Sequence, residues 1–241
     1  MLKNCLTIDL GLIDYAEAYA LQKRVEAARK SGSIEDVLLL CEHPHVITLG
    51  RSGKRENLLA SEHVLRQKGV EFHATDRGGD ITYHGPGQIV GYPILNLGAI
   101  QKDVVWYVRT LEEAMIRATA EFGITAGRVA GKTGIWVRVG NAEEKLAAIG
   151  VHISRWVTSH GFAYNVSTDL RNFELIVPCG IAGRKATSLE KLLGRNVDEV
   201  EVAPRITKHL GELLGLEMKE ASGKELLERL GHAEQAVAVS V

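Results

Sequence analysis

Twice in this chain three strand-like runs follow one another with no helix between them. EFHAT, DITYH and QIVGYPILNL lie within residues 71–97, and GIWVRVG, KLAAIGVHIS and TSHGFAYNVS within residues 134–167. Strands joined that closely pair through hairpins or short bends, so a regular alternation of parallel strands and helices is excluded over both stretches. Helix-period segments are inserted around them. YAEAYALQKRVEAARKSG places Tyr15, Ala18, Tyr19 and Val25 on one face and stops at Gly32. SEHVLRQKG starts at the capping residue Ser61, and DVVWYVRTLEEAMIRATAEFG runs from the N-cap candidate Asp103 to Gly123. ATSLEKLLG, a segment containing Pro204 near its first turn, and KELLERLG supply three more. CLTIDLG and DVLLLCEH read as strands, and VITLG as a continuation of the same sheet. The expectation is an α+β fold, a mixed sheet flanked by helices, in a single domain over 1–241, with HAEQAVAVSV (232–241) as a loose tail.

A length of 241 residues suffices for one sizeable core. The formal net charge of −1 gives no broad attraction to nucleic acid or membrane. No apolar run approaches the roughly 20 residues of a membrane span. The N-terminal segment, interrupted by Asp9 and Asp14, does not read as a leader, so a cytoplasmic location is expected. The three cysteines, Cys5, Cys41 and Cys179, form no CxxC pair, which argues against a disulfide framework.

The densest stretch is RGGDITYHGPGQ, residues 77–88, with four glycines, Arg77, Tyr83, His84 and Gln88. Two glycine bends around ITYH would make a short strand into a pocket wall and let main-chain N–H groups approach a ligand. A plain turn–strand–turn is the alternative. The spacing matches neither a dinucleotide fingerprint nor a P-loop. Cys179 sits in IVPCGIAG, at a bend between Pro178 and Gly180. As a free cysteine it reads either as a small buried hydrophobe or as a nucleophile activated by a neighbouring base or cation. Candidate activators are Lys145, His84, His152 and His160; each also reads as an ordinary polar position. In CEHPH, Cys41, His43 and His45 alternate, but Pro44 breaks the strand and a fourth ligand is missing, so no metal site is assigned.

Taken together, RGGDITYHGPGQIVGYPILNL, KLAAIGVHISRWVTSHGFAYNV and LIVPCGIAGRKATSLEKLLGR resemble the signature blocks of the lipoyl(octanoyl) transferases, the octanoyl-[acyl-carrier-protein]:protein N-octanoyltransferases. EHPHVITLGR resembles their N-terminal block, and the likeness runs in order from about residue 10 to about residue 215. It implies the biotin/lipoate protein ligase-like catalytic fold. It also implies a reaction: the residue matching Cys179 takes an octanoyl group from octanoyl-acyl carrier protein as a thioester. That thioester then acylates a lysine of a lipoyl domain, in a 2-oxoacid dehydrogenase or the glycine cleavage H protein. Lys145 would be the second catalytic residue, as a base or as a thiolate-stabilising cation. Arg77, Gly78, Gly79, Asp80, Ile81, Thr82, Tyr83 and His84 would line the acyl pocket, with Ala148, Ile149, Gly150, Gly161, Phe162 and Ala163 opposite. Small side chains there would leave room for an eight-carbon chain, worth about 0.8 kcal/mol per buried methylene. The resemblance implies no cofactor and no metal, and a monomer. Arg51, Lys54 and Arg55 are the expected docking residues for the acidic carrier protein. The rivals are an ATP-dependent lipoate or octanoate ligase on the same fold, an amidotransferase between lipoyl-bearing proteins, a non-catalytic acyl-binding module and a cysteine hydrolase.

Overall fold

The structure, a computed structural model, describes residues 2–177 and 185–239. Eleven strands are described: β1 (Lys3–Leu12), β2 (Asp36–Glu42), β3 (Val46–Leu49), β4 (Glu71–Ala74), β5 (Ile81–His84), β6 (Gln88–Ile94), β7 (Ala126–Val129), β8 (Lys132–Val139), β9 (Ala142–Ser154), β10 (Val157–Asn165) and β11 (Leu216–Glu220). The helices are α1 (Tyr15–Ser31), α2 (Glu62–Gln67), α3 (Val104–Ala120), α4 (Leu189–Leu193), α5 (Glu199–Leu214) and α6 (Gly223–Val239).

Eight strands form one mixed sheet in the order β11-β1-β2-β6-β10-β9-β8-β7. β1 is parallel to β2 and β11, and the remaining neighbours are antiparallel. β2 explains why the run DVLLLCE carries almost no polar residue. Its alternate residues feed opposite cores: Leu38 and Leu40 pack with α3 and α5, while Val37, Leu39 and Cys41 pack with α1 and α6. A strand covered on both faces has no solvent side to mark with charge. Among the described residues, no helix is long and apolar enough to cross a membrane.

VITLG does not continue that sheet. β3 joins a second sheet, β4-β3-β5, over a small core of Ile47, Leu65, Val70, Ile81, Tyr83 and Ile176. Residues 232–239, within the segment expected as a loose tail, are helical. α6 runs on to Val239, burying Leu226, Leu230 and Ala233 against α1, with Arg24 paired to Glu234. The helix starts fall where capping residues predict. Ser61 accepts from Val64 N–H, Asp103 from Trp106 N–H, and Asp198 closes a capping box with Glu201. Pro204 is the sixth residue of α5, beyond the first turn where it was expected.

The β9–β10 hairpin turns on two residues, Arg155 and Trp156, both with positive φ (51° and 63°). That is the conformation of the tight turn whose twist suits paired strands, reached here without glycine.

Candidate functional site

The loop carrying Arg77, Gly78 and Gly79 enters β5 and is held from three sides. Arg51 and Ser52 donate main-chain N–H groups to the carbonyls of Arg77 and Gly79, and Gly78 N–H donates to Val151 of β9. Gly79 has φ +86°, a conformation that disfavours a side chain. A Cβ on Gly150 would lie 2.7 Å from the Gly78 carbonyl oxygen, and one on Gly161 would collide with the Gly91 carbonyl on β6. Glycines 150 and 161 face each other across the β9–β10 pair. Their smallness is therefore required by backbone-to-backbone packing, a different reason from the room for an acyl chain expected above.

These segments enclose a cavity of about 590 Å³, within the range of small-molecule sites. One wall is the loop and strand of Arg77, Gly78, Gly79, Asp80, Ile81, Thr82 and His84. The opposite wall is Ala148, Ile149 and Gly150 of β9 with Gly161, Phe162 and Ala163 of β10. Thirteen of the fourteen expected pocket residues thus meet at one cavity. Tyr83 is the exception: strand alternation turns it away. It is fully buried in the small core, with its hydroxyl 2.6 Å from His45 Nδ1 and accepting from Asn172 at 3.0 Å. Sequence reading missed Tyr15, Tyr92, Val108, Trp136 and Asn165, which also line the cavity. They come from five elements distant in the chain, and no local spacing joins them.

Lys145 lines the same cavity, with Nζ 4.8 Å from the centroid of the Trp136 ring on β8. Its main chain is paired to the segment Lys185–Thr187. Lys145 N–H donates to the Lys185 carbonyl at 3.0 Å, and Thr187 N–H donates to the Lys145 carbonyl at 2.9 Å. Lys185 and Ala186 also border the cavity. Cys179 lies outside the described residues; in sequence it stands two residues after Val177 and six before Lys185.

Of the three histidines weighed as activators, His84 and His160 are engaged in hydrogen bonds. His84 is buried, with hydrogen bonds to Gln88 and Thr48, and desolvation, with His43 and Arg77 nearby, pushes its pKa down to about 3. His160, held at φ 56°, bonds Asp76 at 2.7 Å through Nε2, and its N–H donates to Gln22. Burial lowers its pKa despite that carboxylate. Asp76 also accepts from Tyr19 and Lys23, and these donors hold its carboxyl well below the usual range against the opposing cost of burial. His152 lies 4.0 Å from the same carboxylate.

In CEHPH, Cys41 Sγ lies 3.6 Å from His43 Nε2, which bonds the Tyr92 hydroxyl at 2.7 Å, while His45 turns to the other sheet. Among the described residues, no group of three His, Cys, Asp or Glu side chains is placed to hold a metal. Burial pushes the thiols of Cys5 and Cys41 far up, so both are held as neutral core residues. In the loop 51–55, Lys54 pairs with Glu56, and Arg55 pairs with Glu62 over the Phe72 ring.

A family model for the lipoyl protein ligase A/B catalytic domain matches residues 14–211. The chain is 53% identical over 217 residues to an octanoyltransferase of Solibacter usitatus, covering 90% of this chain and 96% of that protein. It is 46% identical over 221 residues to an octanoyltransferase of Caldicellulosiruptor saccharolyticus, covering 91% and 92%. Among solved structures it is similar to a bipartite archaeal lipoate protein ligase from Thermoplasma acidophilum, with TM-score 0.74 and 17% identity over 98% of this chain and 92% of that one. A lipoate-protein ligase A with bound ATP gives TM-score 0.70 and 16% identity over 98% and 94%.

Proposed function

Because this chain belongs to the lipoyl protein ligase A/B catalytic domain family, and within it to the octanoyltransferases, we propose that it moves an octanoyl group from octanoyl-acyl carrier protein to the lysine of a lipoyl domain through a thioester on Cys179. The observation that carries this reading is the pairing of Lys145, on the cavity wall, with Lys185–Thr187, the segment that follows Cys179 in the chain.

The steps balance without an external energy source. The Cys179 thiolate attacks the thioester carbonyl, and the carrier thiolate leaves and takes a proton. The acyl-enzyme is again a thioester, at nearly equal free energy. The amine of the lipoyl-domain lysine then attacks the same carbonyl, the Cys179 thiolate leaves, and the product is an amide, which lies downhill. Lys145 serves both halves: as an ammonium it favours the thiolate, and as a neutral amine it takes the thiol proton and later the proton of the attacking amine. Val90, Ile149 and Phe162 provide apolar wall for the chain, and Arg77, buried and bonded to Thr48, fixes the turn at the opposite wall.

The carrier protein docks, in this reading, at the Arg51 side of the cavity, where the exposed Ser52 lines it. Of the three basic residues expected there, Lys54 and Arg55 have acidic partners within their own neighbourhood, so Arg51 carries most of the attraction. Arg51→Glu should raise the KM for the carrier protein and leave kcat within about twofold. An unchanged KM would move the docking face elsewhere.

The reaction class is tested with an apo lipoyl domain as acceptor. Octanoylation from octanoyl-acyl carrier protein without ATP is expected. Octanoylation only when free octanoate and ATP are supplied would assign ligase chemistry on the same fold.

A further inference from the structure

A chain of buried polar side chains crosses beneath the cavity from Arg77 to Thr187, and both its ends are chemically fixed. Arg77 can only donate; its Nε and Nη2 reach Thr48 Oγ1 at 3.2 and 2.9 Å. At the other end the Thr187 main-chain carbonyl can only accept, and Asn165 Nδ2 lies 3.0 Å from it. The Tyr83 carbonyl, also acceptor only, lies 3.3 Å from Gln88 Nε2. These groups determine every proton between them. Gln88 must present its nitrogen to the Tyr83 carbonyl and to Asn165 Oδ1 (2.8 Å), so its oxygen faces His84 Nδ1 at 2.8 Å. His84 therefore carries its proton on Nδ1, and its bare Nε2 accepts from the Thr48 hydroxyl at 3.3 Å. The order of donation is Arg77 to Thr48, Thr48 to His84, His84 to Gln88, Gln88 to Asn165, Asn165 to Thr187, with no like pair facing.

Gln88 and Asn165 are 2% and 3% exposed, so a reversed dipole in either has no water to turn to. Thr187 in turn donates to the Lys145 carbonyl. We infer that Gln88 and Asn165 are positioning residues that act through Thr187 to hold the Lys185–Thr187 segment against Lys145, and so set where the Lys145 amino group stands in the cavity. The inference rests on the catalytic reading of Lys145 given above.

The test uses two nearly isosteric changes in the full-length protein, Asn165→Asp and Gln88→Glu. The first puts an oxygen against the Thr187 carbonyl. The second makes Asn165 turn its amide toward the new carboxylate and away from Thr187. In both, hydrogen exchange of the Lys145 and Thr187 amides should rise at least tenfold while the β10 amides keep their protection. The kcat for octanoyl transfer should fall about tenfold with the donor KM within twofold, and the pH profile of Cys179 alkylation should move toward that of Lys145→Ala. Wild-type exchange at those two amides, or a raised KM with kcat retained, overturns the inference; the latter would make these residues acyl contacts. Loss of protection throughout the sheet would make them general core residues and overturn it too. Cys179→Ala, measured alongside, separates the two levels. Transfer surviving in that variant contradicts the acyl-enzyme reading, and the amide exchange alone then decides the positioning role.

Discussion

Lys145→Ala removes an amino group from the cavity wall and leaves the main-chain bonds to Lys185 and Thr187 in place. Octanoyl transfer should fall about 10²–10⁴-fold, the usual worth of a positioned acid or base. The alkylation of Cys179 should shift to higher pH; an unchanged rate and profile would separate the two residues. Gly91→Ala tests the acyl wall. Its new Cβ would run into the Phe162 ring, which borders the cavity, and push it inward. Loss of room for one methylene removes about 0.8 kcal/mol, so hexanoyl donors should gain roughly fourfold relative to octanoyl ones; an unaltered ratio would place the chain elsewhere. At this scale RGGDITYH and KLAAIG were legible because each keeps its chemistry within one short run. Asn165 and Trp136 were not, since each reads as one residue of an ordinary strand until β8, β9 and β10 are set side by side. Tyr83 shows the opposite failure: the motif contains it, but the two-residue period of β5 sends it to the other core.

The elements follow local signals where local energy decides. The Asp198–Glu201 capping box starts α5, and Asp198→Ala should cost about 1 kcal/mol, lowering the melting temperature by about 2–4 °C with transfer activity retained at 25 °C. No change in melting would mean that packing of Val202, Ile206 and Leu210 alone fixes the helix start. Two elements escaped the sequence for a common reason, that their partners are remote. VITL is four apolar-leaning residues after Pro44, equally fit for either sheet; pairing with β4 and β5, which come later, decides it. The extension of α6 carries mostly alanine and valine and no stop signal. Its first residues meet α1, some two hundred residues earlier, through buried Ala233 and the Glu234–Arg24 pair.

For the whole molecule, placing the cavity between a large sheet covered on both faces and a three-stranded sheet sets its acid sensitivity. Burial lowers the pKa of His43, His84 and His160, so each binds its proton more readily in the unfolded chain. Stability from such a group is complete above the ordinary histidine value of 6.5 and falls as pH drops below it, for His84 down to about 3. For His84 the slope approaches about 1.4 kcal/mol per pH unit between those values, and His43 and His160 add to it in the same direction. The depressed Asp76 carboxyl acts in the same direction at lower pH, losing its contribution as pH falls through its folded value. Urea midpoints should therefore be constant from pH 8 to 7 and drop steeply between 6 and 5; a flat profile there would mean the histidines are hydrated in solution. The most direct test of the central claim is the intact mass of the protein mixed with octanoyl-acyl carrier protein in the absence of ATP. A gain of one octanoyl group, absent in Cys179→Ala and discharged by an apo lipoyl domain, is the predicted result. An unmodified mass while the lipoyl domain still becomes octanoylated would contradict the covalent intermediate.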